Sequence, residues 1–238
     1  MDIKKAVITA AAPGQSKLPL QTLVDREGQV KSLLELLIQE VVDAGIMQIG
    51  VVVQPGDESA YAKAIGEHAH SVDFIPQEKA LGYGNALHCA HQFTGKDAFL
   101  HLVGDHLYVN PAGDSPARRL VEFARQRENV ISAVQPTRES LIPHFGVVGG
   151  KRLQGNNELY QVERVIEKPT PTEAEQKLLV PGLKAGNYLC FFGMHVLTPT
   201  VMGILGRELK DRPKISLSVA LDILARTCEW EIPAARPA

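Results

Sequence analysis

The sequence predicts an α/β fold: a mostly parallel or mixed sheet flanked by helices, with an antiparallel section packed beside it. Three observations carry this. Up to residue 134, short apolar, β-branched runs alternate with segments of helical period. Several of these runs end in loops bearing glycine or proline. Beyond that point strand-like runs follow one another with little helix between them, which marks antiparallel pairing. The chain has 238 residues, 45% apolar and 22% charged, enough apolar material for one continuous core.

The elements follow in order. Residues 6–12 form an apolar run, β-branched at Val7, Ile8 and Thr9, that ends in Pro13-Gly14; this is a buried strand leading into a tight loop. Residues 32–44 carry Leu33, Leu34, Leu37, Ile38, Val41 and Val42 at helical spacing, and Gly45 stops the helix. Leu34, Leu37 and Val41 are read as core rather than interface. A second strand spans 49–53, Asp57 is placed to cap a helix running towards His68, and a third strand covers 72–75. Residues 84–93 read as a helix entered through a glycine-rich loop. Residues 98–103 are a fourth strand closing on Gly104-Asp105-His106. Ser115-Pro116 is a cap followed by proline in the first turn, opening a helix towards Arg127, and 130–134 is a fifth strand. Then 145–149, 159–166 and 188–197 are strand-like. Thr170-Pro171-Thr172-Glu173 is a capping box that starts a helix towards Leu179. Thr198-Pro199 and Ser216 open two further helices. No repeat or low-complexity linker interrupts the chain, so a single domain is expected over 1–238.

Composition excludes several function classes. The net charge of −2 provides no electrostatic case for nucleic acid or an anionic membrane, so a phosphate-bearing ligand must be held by a local cluster of donors. Cys89, Cys190 and Cys228 are scattered, odd in number and form no CxxC pair; buried free thiols in a reducing compartment are expected. The first residues lead straight into a strand-like run rather than a secretory leader, and no apolar stretch is long enough to span a bilayer. Cytoplasm is the expected location.

In a doubly wound sheet, ligands bind beyond the carboxyl ends of the strands, so the loops after the strands carry the chemistry. In the segment 10–17 the small residues Ala11, Ala12 and Gly14 let backbone N–H groups approach a phosphate, and Lys17 adds positive charge. An ordinary strand exit is the plainer alternative. In the segment 77–86 Gly82 and Gly84 permit close approach to a flat ligand, and Gln77 offers the donor and acceptor that match a pyrimidine edge. Asp105, at the end of an apolar strand, is placed to hold Mg2+ bridging phosphates, or simply to cap a turn. At Glu167-Lys168-Pro169, Glu167 can accept from sugar hydroxyls and Lys168 can pair with phosphate, against the alternative of a solvated strand terminus.

Taken together and in order, these segments resemble the sugar-1-phosphate nucleotidyltransferase family, and within it the UTP–glucose-1-phosphate uridylyltransferases, over nearly the whole chain. Gln77 with Gly82-Tyr83-Gly84-Asn85-Ala86 is similar to the family's Q…GxGHA segment, in which the Gln and first Gly read uracil or thymine; Asn85 stands where the uridylyltransferases have His. Asp105 falls on the family's Mg2+-binding Asp. Phe145-Gly146-Val147-Val148 resembles YGVV, whose Gly backbone meets the sugar. Glu167-Lys168-Pro169 matches EKP, whose Glu holds the sugar and whose Lys holds its phosphate. Residues 216–222 resemble the helix near the end of the catalytic core. The resemblance implies a Rossmann-like nucleotide-diphospho-sugar transferase fold, UTP or dTTP and a sugar 1-phosphate as ligands, Mg2+ as cofactor, Lys17, Lys168 and Asp105 as catalytic residues, and Asn187 as the sugar-contacting Asn. A homo-oligomer is compatible with it.

The sequence also departs from the family. The phosphate loop is shortened and lacks the family's Thr-Arg pair, leaving Lys17 to supply charge. No residue matches the family's second Mg2+-binding Asp, because the chain ends at Ala238 just after a strand expected to begin within 228–232; the domain is therefore expected to lack the family's C-terminal strand and loop. Asn187 lies one residue further from Gly193 than the family's spacing. These departures keep a second reading open: a catalytically weakened homologue that binds nucleotide or nucleotide sugar in a regulatory role. A cytidylyltransferase on the same sheet is disfavoured by the FGVV and EKP segments. Zinc needs three or four convergent ligands, and nothing in the sequence brings His88 and His91 to His101, Asp105 and His106.

Overall fold

The chain begins with β1 (Ile3–Thr9), followed by a separate hairpin of β2 (Thr22–Val24) and β3 (Val30–Ser32), then α1 (Leu33–Asp43), β4 (Gln48–Val53), α2 (Glu58–Ala64), β5 (Val72–Pro76), α3 (Tyr83–Cys89), α4 (His91–Thr94), β6 (Ala98–Val103) and α5 (Pro116–Arg127). The second part runs β7 (Ile131–Arg138), β8 (Gly146–Arg152), β9 (Leu159–Glu167), α6 (Pro171–Lys177), β10 (Asn187–Leu197), α7 (Pro199–Asp211), α8 (Leu217–Thr227) and β11 (Ile232–Ala235). This computed structural model describes residues 1–14, 17–25, 27–110, 113–155, 158–227 and 232–235.

Nine strands form one mixed sheet in the order β5-β4-β1-β6-β10-β7-β11-β9-β8. β5, β4, β1 and β6 are parallel. β10 runs antiparallel to β6 and β7, and β8 runs antiparallel to both β9 and β10. The inner parallel strands β1, β4 and β6 carry largely apolar runs because both of their faces are covered, whereas the edge strand β5 is only partly buried. In β1, Ala6 and Ile8 join the cluster beneath α1 and α5, while Val7 joins the opposite cluster with α3, α7 and α8. That is the two-residue alternation of a strand.

Local signals set the helix starts. Ser32 Oγ accepts from Glu35 N–H at 3.0 Å, Ser115 Oγ from Arg118 N–H at 3.0 Å, and Thr170 Oγ1 from Glu173 N–H at 3.2 Å. Leu34, Leu37 and Val41 are buried, each adding about 1.5–3 kcal/mol. Glu40, on α1, accepts from Ser115 Oγ (2.8 Å) and Ala117 N–H (2.7 Å), which locks α1 against the start of α5.

Several expectations change. Asp57 makes no side-chain cap, and α2 gives way to a 3₁₀ segment, Gly66–Ser71, before β5. The helix read over 84–93 is broken at Ala90 into α3 and α4. β7 extends to Arg138. The last strand starts at Ile232; Cys228 and residues 229–231 lie outside the described residues. Among the described residues, no helix is long and apolar enough to cross a membrane.

The β6–β10 pairing sets His101 opposite His195, with their rings stacked 6.0 Å apart and both buried. His101 Nδ1 lies 2.9 Å from Val7 O, and Nε2 lies 2.7 Å from Tyr83 Oη. A carbonyl only accepts, so Nδ1 carries the hydrogen and Tyr83 donates to Nε2. His195 Nδ1 pairs with Ser132 Oγ at 2.8 Å. Burial lowers His101 to about 4 and His195 well below its ordinary value. Both imidazoles are therefore neutral in the fold but titrate near 6.5 in the unfolded chain. Their contribution is complete above pH 6.5 and is lost as pH falls towards 4. For His101 alone this amounts to about 3 kcal/mol. Urea unfolding followed across that window should show stability falling with pH, and less steeply in His101→Gln; a flat wild-type profile would contradict the burial of neutral rings.

Candidate active site

Backbone hydrogen bonds draw the loops after the parallel strands together. Ala10 N–H donates to Val52 O, Gln77 N–H to Val53 O and Gly104 N–H to Thr9 O, each at 2.8 Å. A Cβ on Gly104 would stand 2.9 Å from Thr9 O, so only glycine lets the two strand exits approach this closely. A cavity of about 230 Å³ opens here, lined by Thr9, Ala10, Ala12, Gly104, Asp105 and His106 together with Pro19, Tyr83 and Val103.

The expected phosphate loop lies at its rim. Ala11 is buried in the core, so only its backbone can serve a ligand. Ala12 and Gly14 are exposed, and Gly14 takes φ +75°, which favours glycine. Gln15 and Ser16 lie outside the described residues. Lys17 is exposed, close in sequence to the cavity-lining Pro19. Asp105 is partly exposed, and the His106 ring, with Nδ1 3.3 Å from Oδ1, holds its carboxyl below the ordinary range, so it is anionic at neutral pH.

Gln77 is buried. Its Nε2 donates to Gly82 O (3.2 Å) and to Asn85 Oδ1 (2.8 Å). Gly82 takes φ +93° where it opens α3. A Cβ on Gly84 would stand 2.6 Å from Ile215 O, to which Gly84 N–H already donates at 3.0 Å. The glycines of this loop thus serve backbone geometry.

A second group assembles across β8 and β9, where Gly146 pairs with Glu167. Ser218 Oγ donates to Glu167 Oε2 at 2.5 Å. A Cβ on Gly146 would strike Ser218 Oγ at 2.5 Å, and Phe191 and Glu167 at 3.0 and 3.2 Å. Four residues along α8, on the same face, Asp222 Oδ1 accepts from Val165 N–H (2.9 Å) and Arg164 Nε (3.2 Å). α8 therefore grips the end of β9 at two points. Lys168 is exposed and sits at φ +50°, an unusual position for a side-chain-bearing residue, with its N–H donating to Phe145 O at 2.9 Å.

Phe192 joins the two groups: its ring centroid lies 6.3 Å from His106 and 6.1 Å from Phe145. Asn187 stands apart from them. It opens β10 opposite Arg138, and its Nδ2 donates to Ala185 O at 3.3 Å, whereas Phe191, further along, is the residue of β10 beside Gly146. The sequence reading did not single out Phe192 or the Glu167–Ser218 contact. The paired polar positions Ser218 and Asp222 on one face of an otherwise apolar helix were the available signal for α8.

A larger cavity, about 450 Å³, lies between the β2–β3 hairpin, α1 and the segment after β6. Its lining is apolar and acidic, with Val24, Val109, Asp25, Glu40 and Asp114, and its Lys31 is paired with Asp25 at 2.9 Å. Such an acidic lining disfavours phosphate. His88 and His91 stack on each other, and among the described residues no group of three or more His, Cys, Asp or Glu converges for a metal. Cys190 is a buried free thiol that burial pushes up to about 11, and Cys89 is a half-buried free thiol.

Comparison with known proteins gives a concordant picture. A nucleotidyl transferase family profile matches residues 22–232. The UTP–glucose-1-phosphate uridylyltransferase of Pseudomonas aeruginosa is 24% identical over 85% of this chain and 77% of its own length. UTP–glucose-1-phosphate uridylyltransferase 1 of Streptococcus pyogenes serotype M1 is 26% identical over 94% and 79%. A UDP-glucose pyrophosphorylase complexed with UDP-glucose superposes with TM-score 0.79 at 20% identity, covering 99% of this chain and 90% of that one. The UTP-bound UGPase from Acinetobacter baumannii superposes at 0.74 and 23%, covering 99% and 86%. At these identities the structural likeness bears on the fold.

The backbone of Lys168 yields a test that separates shape from charge. A non-glycine residue in the left-handed region costs on the order of 1 kcal/mol, and more when β-branched. Chemical denaturation should find Lys168→Gly within about 1 kcal/mol of wild type and Lys168→Val destabilised by roughly 1–2 kcal/mol. Equal effects from the two would contradict the positive φ.

Proposed function

This chain belongs to the nucleotidyl transferase family, and on that premise we propose that it forms a nucleotide sugar, UDP-glucose, from UTP and glucose 1-phosphate. A phosphate oxygen of the sugar 1-phosphate attacks the α-phosphorus of the nucleotide. The new oxygen–phosphorus bond forms as the bond to the β-phosphate breaks, and pyrophosphate leaves. The nucleophile is already an anion, so no general base is needed, and catalysis consists of positioning and charge neutralisation.

The residues divide the task by chemistry. Backbone N–H groups around Ala11, Ala12 and Gly14, with Lys17, receive the triphosphate. Gln77 and the Gly82 backbone hold the base. Gly146 and Glu167 hold the sugar, with Ser218 orienting the Glu167 carboxylate, and Lys168 pairs with the sugar phosphate. Asn187 sits at the outer edge of this arrangement as a more distant sugar contact. Asp105 fits a magnesium ligand: it is one ionised carboxylate at a cavity rim, and magnesium characteristically takes few protein carboxylates and completes its shell with phosphates and water. Bound there, Mg2+ would neutralise phosphate charge. A cytoplasmic location belongs to the same proposal.

The observation that supports this reading most is the bridge made by Phe192, whose ring contacts both His106 beside Asp105 and Phe145 beside Gly146. Isothermal titration of UTP, dTTP, ATP and UDP-glucose, with and without Mg2+, tests the nucleotide site. Pyrimidine-selective binding, weakened at least about tenfold in Gln77→Ala, is expected. A pyrophosphate-release assay with glucose 1-phosphate should then show Mg2+-dependent turnover, with kcat/KM reduced about 100-fold or more in Asp105→Asn and in Lys168→Gly. Binding without turnover would instead favour a regulatory nucleotide-sugar-binding role, and no binding would overturn both.

A further inference from the structure

The hydrogen bonds around Gln77 leave its amide a single orientation. Gly82 O can only accept, so the end of the Gln77 side chain that meets it at 3.2 Å is the nitrogen. That nitrogen has two hydrogens, and the second goes to Asn85 at 2.8 Å. Asn85 must in turn present its carbonyl oxygen, the acceptor end of its own amide. A backbone carbonyl that cannot flip therefore determines the polarity of two side-chain amides in succession. Both Gln77 hydrogens are spent inside the protein. Among the described residues no donor meets Gln77 Oε1, and this oxygen is not sealed from solvent.

We propose that Asn85 is a positioning residue for base specificity: by taking the second hydrogen of the Gln77 amide, it leaves Gln77 only an acceptor to present to the base. The inference rests on the reading that Gln77 faces the base, and it names which pyrimidines that site admits. Uracil and thymine carry an N3–H between their two carbonyls, which matches a lone acceptor. Cytosine carries a lone pair at N3, and its amino group reaches Oε1 only if the ring slides sideways. Facing two acceptors across a half-buried contact leaves both unpaired, a penalty that commonly discriminates ligands by 100-fold or more. Without Asn85, the Gln77 amide is still held by Gly82 O, but the hydrogen that Asn85 accepted is released and can be donated to the ligand, where it meets the lone pair at cytosine N3.

The test is the ratio of UTP to CTP affinity, measured by titration on wild type, Asn85→Ala and Asn85→Asp. The ratio does not depend on the fraction of protein that is folded, so a general loss of stability leaves it unmoved. Wild type should favour UTP by roughly 100-fold. Asn85→Ala keeps the helix, because alanine is a strong helix former, but removes the acceptor; its ratio should fall about tenfold or more, largely through improved relative binding of CTP. Asn85→Asp keeps an acceptor facing Gln77 Nε2, and its added charge acts on both triphosphates alike, so its ratio should stay near wild type. An unchanged ratio in Asn85→Ala would overturn the inference while leaving the nucleotide site intact. A wild type that binds neither UTP nor CTP would overturn the reading of the site itself, and this inference with it.

Discussion

The arrangement depends on β10. This strand closes the parallel half by pairing with β6, opens the antiparallel half by pairing with β7, and also pairs with β8 through Leu189 and Cys190. Its ladder with β7 is interrupted between Phe191 and His195. There Gly193 takes φ +70°, lies so close to Val103 that a Cβ would come within 2.3 Å of it, and accepts from Tyr108 Oη at 2.8 Å. No other residue type meets both constraints. The irregularity lets Phe192 lie between His106 and Phe145, so the loops of the parallel strands and the ends of β8 and β9 share one surface.

The segment 215–222 is the second support. Ile215 O accepts from Gly84 at the start of α3, Ser218 holds Glu167, and Asp222 holds the backbone of Val165. One helix and its entry thus fix the loop assigned to the base and the carboxylate assigned to the sugar relative to each other. Preorganisation of this kind suits a reaction that relies on positioning rather than on a base. Tyr83, which lines the cavity, is tied through the neutral His101 imidazole to Val7 in the sheet.

Much of this was legible in the sequence, for identifiable reasons. β6 appears at its observed bounds because burial on both faces leaves an apolar run interrupted only by His101. The helices that start after Ser115 and Thr170 are marked by caps whose oxygens accept backbone N–H groups, and the one after Ser32 by its apolar spacing. The β2–β3 hairpin escaped because its strands have three residues each, and β2 is exposed throughout, so neither carries a periodicity. Asp105 and the Glu167–Lys168 pair stood out as charges ending apolar strands. Ser218 and Phe192 did not, because their roles lie in contacts with residues far away in the chain: Ser218 meets Glu167 across 51 positions. The positive φ of Lys168 is likewise a property of the assembled sheet edge, and no residue type announces it.

The central claim is that loops from both halves of the sheet form one site for a nucleotide sugar. Amide hydrogen exchange with and without saturating UDP-glucose and Mg2+ addresses it most directly. Slowed exchange is expected together in residues 10–14, 77–85, 104–106, 145–146 and 167–168. Protection confined to the β2–β3 hairpin and α1, or absent from one of the two halves, would contradict it.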